Sequence, residues 1–284
     1  MQKISLEQLK IMVKTIKEEH PNKNRDYYKM FLSTEFLRLV VDNERLNQSM
    51  FSIHNKKPPR TKEDRKFFRT ETGGFQRQER VSRFAERIYN LQDIKNIDNI
   101  LSKIKEGNVS GCFAELEAGT HLHRREIPFE FVKETGNKGL DFDIKITSNP
   151  TVNCEVKHKM ESTELSEKTL ERSLKEARSQ LPDNEASLIF LKIPEEWTKQ
   201  DNIYEVFQKT INNFFTSSNS QNVIGIVLRR EQRNIHNEGI FYWMYKLLEN
   251  DKSKIINEEI KNLLTKISSK ANENNRIKFT DMID

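Results

Sequence analysis

The chain has 284 residues, with 48 Lys and Arg against 43 Asp and Glu and a net charge of +5, enough for one large domain or two ordinary ones with real cores. Its two cysteines, Cys112 and Cys154, stand far apart in apolar contexts, which excludes a disulfide framework and a zinc spacing and points to a reducing, cytoplasmic setting. No apolar run approaches the roughly 18 residues of a membrane helix, and Met1-Gln2-Lys3-Ile4 lacks the apolar core of a signal peptide, so a soluble protein with no membrane partner is expected.

Periodicity divides the chain near residue 108. Ser5 can cap a helix with Gln8 three residues on, placing Leu6, Leu9, Val13 and Ile16 on one stripe until His20-Pro21 ends it. A second helix is expected from Arg25 to Asn47, with Tyr28, Phe31, Phe36, Leu39 and Val40 for its buried side. Lys57-Pro58-Pro59 marks a loop, a short helix is expected through Lys62 to Arg69, and Thr72-Gly73-Gly74 breaks it. The pattern from Gln76 to Lys105 is helical, with a break near Asp93. From Gly107 the grammar changes to alternation: a helix over 113–123, strands over 127–134, 140–147 and 151–157, a helix over 164–181 and a strand over 186–193. A helix over 203–215, strands over 223–228 and 240–245, and a last helix over 254–268 complete the pass. Ser148-Asn149-Pro150 turns the second strand into the third, making them a hairpin.

Charge is distributed unevenly between the two parts. Residues 1–110 carry 23 basic and 15 acidic residues, a balance of +8, while residues 111–284 stand at −3. The segment Lys56–Arg87 holds 11 basic residues against 5 acidic ones and includes Lys56, Lys57, Arg60, Lys62, Arg65, Lys66 and Arg69. Such a run suits phosphate, because counterion release drives sequence-independent nucleic-acid binding. A solvated charged face is the alternative.

The most specific feature is Gly139-Leu140-Asp141-Phe142-Asp143-Ile144, with Cys154-Glu155-Val156-Lys157 on the next strand. Strict alternation puts Asp141 and Asp143 on one face of their strand, and Glu155 and Lys157 on one face of theirs. Acid-x-Lys strings also occur at Asp64, Asp93, Asp143 and Glu259. Those at 64, 93 and 259 fall in helical patterns, where positions i and i+2 diverge by roughly 200°; the one at 143 has no strand acid at the usual offset before it. Only the copy at Glu155 has the full context.

Helix, three antiparallel strands, helix and strand, with these residues in these places, resemble the PD-(D/E)xK nuclease superfamily. The resemblance covers roughly residues 111–195. It implies a restriction-endonuclease-like α/β core, a mixed central sheet flanked by helices, over residues 109–284. An all-helical, basic region over 1–108, for nucleic-acid binding or assembly, precedes that core. It further implies a Mg²⁺- or Mn²⁺-dependent hydrolase of phosphodiester bonds, with Asp141 and Glu155 as metal ligands, the Val156 main-chain carbonyl as a further ligand, and Lys157 orienting the nucleophile or stabilising the phosphorane charge. Glu115 on the preceding helix is the expected additional acid, with Glu117 its rival, and Gln180 on the following helix is carried over as an accessory. Leu140 stands where the family's name has proline, and Asp143 leaves open which strand acid is the main ligand, Asp141 being favoured because it opens the strand after Gly139. His158 and Lys159 are candidates for scissile-side phosphates. DNA is the expected partner, together with a homo-oligomer or a partner protein of an anti-phage defence, restriction or repair system. The alternative reading is an inactive nucleic-acid-binding or scaffold protein on a nuclease-like fold.

Overall fold

A computed structural model describes residues 3–41, 74–137, 139–159, 163–233 and 241–283. Among the described residues the architecture is mixed α/β, with eight α-helices and one six-stranded mixed sheet flanked by helices. No helix among them is long and apolar enough to cross a membrane. The chain divides into two compact units, Met1–Thr120 with Asn272–Asp284, and His121–Ala271. The division falls inside a helix, and residues 272–284 belong with the first unit.

The described residues of the first unit form five α-helices and short 3₁₀ turns. Helix α1 (Leu6–Glu19) opens with the expected capping box: the Ser5 hydroxyl accepts from the Gln8 N–H at 3.1 Å, and the Gln8 side chain accepts from the Ser5 N–H at 2.7 Å. Its buried stripe is Leu9, Val13 and Ile16, whereas Leu6, in the first turn, is exposed. Helix α2 (Arg25–Val41) buries Tyr28, Leu32, Phe36 and Val40 and leaves Leu39 exposed. The expected continuation to Asn47 lies outside the described residues, as does the short helix through Lys62–Arg69. Helix α3 (Gly74–Leu91) and helix α4 (Ile97–Glu106) are separated by the break expected near Asp93. Asn96 (φ 66°) turns the chain there through the left-handed region, and Gly107 (φ 105°) ends α4, its N–H donating to the Ile104 carbonyl. Helix α5 (Val109–His123) starts four residues earlier than expected and brings Phe113 to 5.8 Å from Phe84 of α3.

The second unit is built on the sheet, in the order β1 (Phe129–Phe131), β2 (Ile144–Ile146), β3 (Val152–His158), β4 (Ser187–Ile193), β5 (Val223–Arg233) and β6 (Phe241–Glu249). Strands β1, β2 and β3 are antiparallel neighbours, β3, β4 and β5 run parallel, and β6 returns antiparallel to β5. β4 is buried along its whole length, as a central parallel strand must be when both faces are covered. Helix α6 (Glu167–Arg178) lays Leu170, Leu174 and Ala177 on one face, and helix α7 (Ile203–Thr216) adds Phe207, Ile211, Phe214 and Phe215. They pack with Ile189, Leu191 and Ile193 of β4. Leu170 and Leu174 are fully buried, and together they contribute on the order of 3–6 kcal/mol of transfer free energy before ordering entropy is counted. Trp197 is buried with them and donates its indole N–H to the Thr163 carbonyl at 2.6 Å. Helix α8 (Glu258–Ser268) packs near β6.

Candidate functional site

The hairpin of β2 and β3 positions the candidate acids, but β2 is shorter than alternation suggests. Gly139 (φ 84°) keeps the chain in a loop, and the Asp141 carboxylate accepts there from the Thr135 N–H at 2.6 Å, the Thr135 hydroxyl at 2.8 Å and the Gly136 N–H at 3.2 Å. Asp141 therefore stands ahead of β2 rather than on it. A carboxylate so placed substitutes for main-chain acceptors and ends the strand pattern.

Asp143 is the acid that reaches β3. The β2–β3 ladder stops at the Ile144–Cys154 pair, and the next inward N–H, that of Val156, donates to Asp143 Oδ2 at 2.8 Å. On β3, Glu155 is 3% exposed, and its Oε1 lies 2.6 Å from Lys157 Nζ. This contact places both side chains on one face, as period two requires. In parallel register Glu155 stands beside Ile189 and Lys157 beside Leu191, so the pair lies on the side of the sheet that α6 and α7 cover. The Lys157 side chain keeps about a quarter of its surface exposed; the pair is buried at the carboxylate and open at the ammonium. Cys154 points to the opposite face, and burial pushes its thiol well above the usual range, with the charges of Asp143 and Glu155 adding to the effect. It is inert at neutral pH.

The remaining expected residues are placed as follows. Glu115 is buried on α5, in the first unit, with Lys103 Nζ of α4 at 3.3 and 3.4 Å from its two oxygens. Its rival Glu117 is paired with Arg87 of α3 at 2.8 Å, and that guanidinium lies 4.1 Å from the centre of the Phe113 ring. Gln180 is not on a helix: α6 ends at Arg178, and Gln180 sits half-buried in the following turn, its N–H donating to the Ala177 carbonyl at 3.1 Å. That turn meets the loop before Asp141, because a Cβ on Gly139 would stand 3.9 Å from the Leu181 carbonyl. His158 closes β3, and the Lys159 N–H continues the parallel ladder to the Lys192 carbonyl at 3.0 Å. Burial lowers the Lys159 ammonium pKa; Glu176 opposes the shift, while Arg172 and Lys157 reinforce it. Lys56, Lys57, Arg60, Lys62, Arg65, Lys66 and Arg69 lie outside the described residues.

A Mg²⁺ or Mn²⁺ ion takes oxygen donors; those offered at the open end of this hairpin are the Asp143 carboxylate, which accepts from the Val156 N–H, the Glu155 carboxylate on β3 and the Val156 carbonyl. Among the described residues no group of three or more His, Cys, Asp and Glu converges for a metal.

From the sequence His121 reads as a surface or substrate-side residue; the structure buries it. It is 2% exposed, with its ring 4.3 Å from that of Tyr245 and 5.9 Å from that of Phe190. Its Nε2 lies 3.0 Å from the Ile267 carbonyl, an obligatory acceptor, and its Nδ1 lies 3.2 Å from the Arg125 guanidinium, an obligatory donor. The ring is therefore the neutral Nε2–H tautomer. Burial, followed by the charges of Arg125 and Arg229, holds its pKa well below the usual imidazole value. The neighbouring apolar residues on α5 were the signal that could have indicated burial, but nothing in the sequence identifies the partners on α8 and β6.

No protein-family model matches the chain, and no curated protein or solved structure is similar to it.

Proposed function

We propose that the chain is a metal-dependent nuclease acting on DNA, as the resemblance to the PD-(D/E)xK superfamily implies. One observation carries this reading. Among the described residues, the acid-x-Lys string on the second arm of the β2–β3 hairpin forms a 2.6 Å carboxylate–ammonium pair at Glu155 and Lys157, with a second carboxylate, Asp143, on the main chain between them. Glu155, Asp143 and the Val156 carbonyl would hold a divalent ion, and Asp141 would shape the loop that brings Asp143 in. When bound, such an ion activates water and neutralises charge on the leaving oxygen. Lys157, fixed by Glu155 and open on its outer side, presents a positive charge where a phosphodiester would enter. Burial of Glu155 keeps water from screening that charge.

The test compares cleavage of plasmid and linear DNA in Mg²⁺ or Mn²⁺ by the wild-type chain, Glu155→Gln and Lys157→Met. Loss of cutting in both variants, with circular dichroism unchanged, is the expected result, and equal cutting by all three refutes the assignment. A second reading, binding without cleavage, draws on the absence among the described residues of a larger converging metal group. It predicts DNA binding by the wild type, no cutting, and no effect of Glu155→Gln.

A further inference from the structure

The chain's last residues lie across the helical unit in the manner of a bound peptide. Arg276–Lys278 are extended, and Phe279–Met282 close into a 3₁₀ turn. Glu86 and Asn90, one turn apart on α3, face this segment. Asn90 reads its backbone twice: the side-chain amide donates to the Ile277 carbonyl at 2.9 Å, and its oxygen accepts from the Ile277 N–H at 2.7 Å. Glu86, itself 3% exposed, uses both oxygens, one 2.6 Å from the Arg276 guanidinium and one accepting the Phe279 N–H at 3.0 Å. The Phe279 ring is fully buried, 5.6 Å from Phe36 of α2 and 5.9 Å from Tyr89 of α3. Arg25 donates to the Thr280 carbonyl at 3.1 Å, and Lys17 of α1 donates to the Ile283 carbonyl.

We propose that the groove formed by α1, α2 and α3 is a recognition site for a peptide carrying arginine and, three residues on, phenylalanine, and that residues 276–283 fill it in cis. The selectivity follows from the contacts. Asn90, Arg25 and Lys17 hold main-chain atoms and accept any sequence, whereas the buried Glu86 carboxylate requires a cation and the Phe36–Tyr89 pocket requires an aromatic ring. A buried carboxylate that lost its arginine would keep its desolvation cost without its compensation, so the groove discriminates against segments lacking that residue. Tethering gives the cis segment an effective concentration in the millimolar range. A competing peptide enters only when this segment is weakened or displaced.

The experiment uses the full-length chain. A fluorescein-labelled peptide with the sequence of residues 272–284 is titrated into the wild type, into the double variant Arg276→Ala/Phe279→Ala, and into that variant carrying Asn90→Ala as well. Saturable anisotropy change is expected only with the double variant. No binding to a double variant that keeps the wild-type circular dichroism overturns the proposal, as does equal binding to the wild type. Should the double variant fail to fold, native-state hydrogen exchange on the wild type decides. The Ile277 and Phe279 amides are expected to exchange through an opening that leaves the α3 amides of Val81–Ile88 protected. Exchange of both sets together would make the segment part of the core and overturn the proposal.

Discussion

Acid should destabilise this protein, and the His121 ring contributes a share that can be isolated. His121 is neutral in the folded chain because burial, and after it the charges of Arg125 and Arg229, oppose a second proton, while the Ile267 carbonyl holds the first on Nε2. In the unfolded chain the imidazole titrates normally, near pH 6.5. The folded pKa is depressed, so the unfolded state binds more protons as pH falls through that value, and stability drops until the folded pKa is reached. The slope is that of one proton, about 1.4 kcal/mol per pH unit, and the integrated loss from pH 7.5 to 5.5 is roughly 1.4 kcal/mol. Urea denaturation followed by circular dichroism at both pH values measures the total, which includes other titrating groups. His121→Gln isolates the ring, since an amide keeps the donor to Ile267 and cannot be protonated. The variant should lose about 1.4 kcal/mol less than the wild type over that interval. Equal losses in the two proteins, or an NMR titration placing the His121 ring above pH 6 in the folded state, would refute the reasoning.

The roles of the two loop acids separate by substitution. Asp143→Asn retains an acceptor for the Val156 N–H, so stability should change by less than about 1 kcal/mol, while cleavage should fall at least about 100-fold, the upper end for even an outer-shell partner of a metal site. Asp141→Ala removes an acceptor of three hydrogen bonds and should cost about 1–3 kcal/mol in urea denaturation, with cleavage reduced less than by Asp143→Asn; the reverse order would return the ligand role to Asp141. Glu115→Gln leaves Lys103, whose side chain is 14% exposed, facing a neutral partner, and a loss of about 3–5 kcal/mol is expected, largely restored by adding Lys103→Met. Loss of cleavage without loss of stability would instead make Glu115 a member of the site.

Legibility followed the range of the signal. The capping box of Ser5 and Gln8, the break after Leu91 and the β2–β3 hairpin are written in neighbouring residues, and each stands within a few positions of where the pattern puts it. β2 illustrates what local pattern cannot see. Leu140, Phe142 and Ile144 alternate as a strand should, yet Asp141 hydrogen-bonds six residues back to Thr135 and holds the first part of that stretch in a loop. Alternation fixes which way a side chain points only once the strand exists. α6 was overextended for a similar reason: Gln180 and Leu181 continue the apolar spacing, but their N–H groups bond three residues back rather than four, in a turn. The C-terminal segment has no period at all. Its order comes from Glu86, Asn90 and Phe36, each more than 180 residues away in sequence, and no windowed pattern registers such contacts.

Buried ion pairs occur in both units, and what they join separates them. Lys103–Glu115 links α4 to α5, Arg87–Glu117 links α3 to α5, and Arg276–Glu86 links the C-terminal segment to α3. Each can fix how separate elements meet, a use for which buried charge is retained despite its desolvation penalty. The Glu155–Lys157 pair joins two residues of the same strand. That contact adds no constraint between elements, since β3 is already registered on both sides by its ladders to β2 and β4. Placed on a sheet face shared with Ile189 and Leu191, two apolar side chains would satisfy folding at lower electrostatic cost. The charge at Glu155 is thus explained poorly by packing and well by a ligand or reactant with charge of its own, which is why the functional weight rests on this pair rather than on the more numerous ion pairs of the helical unit.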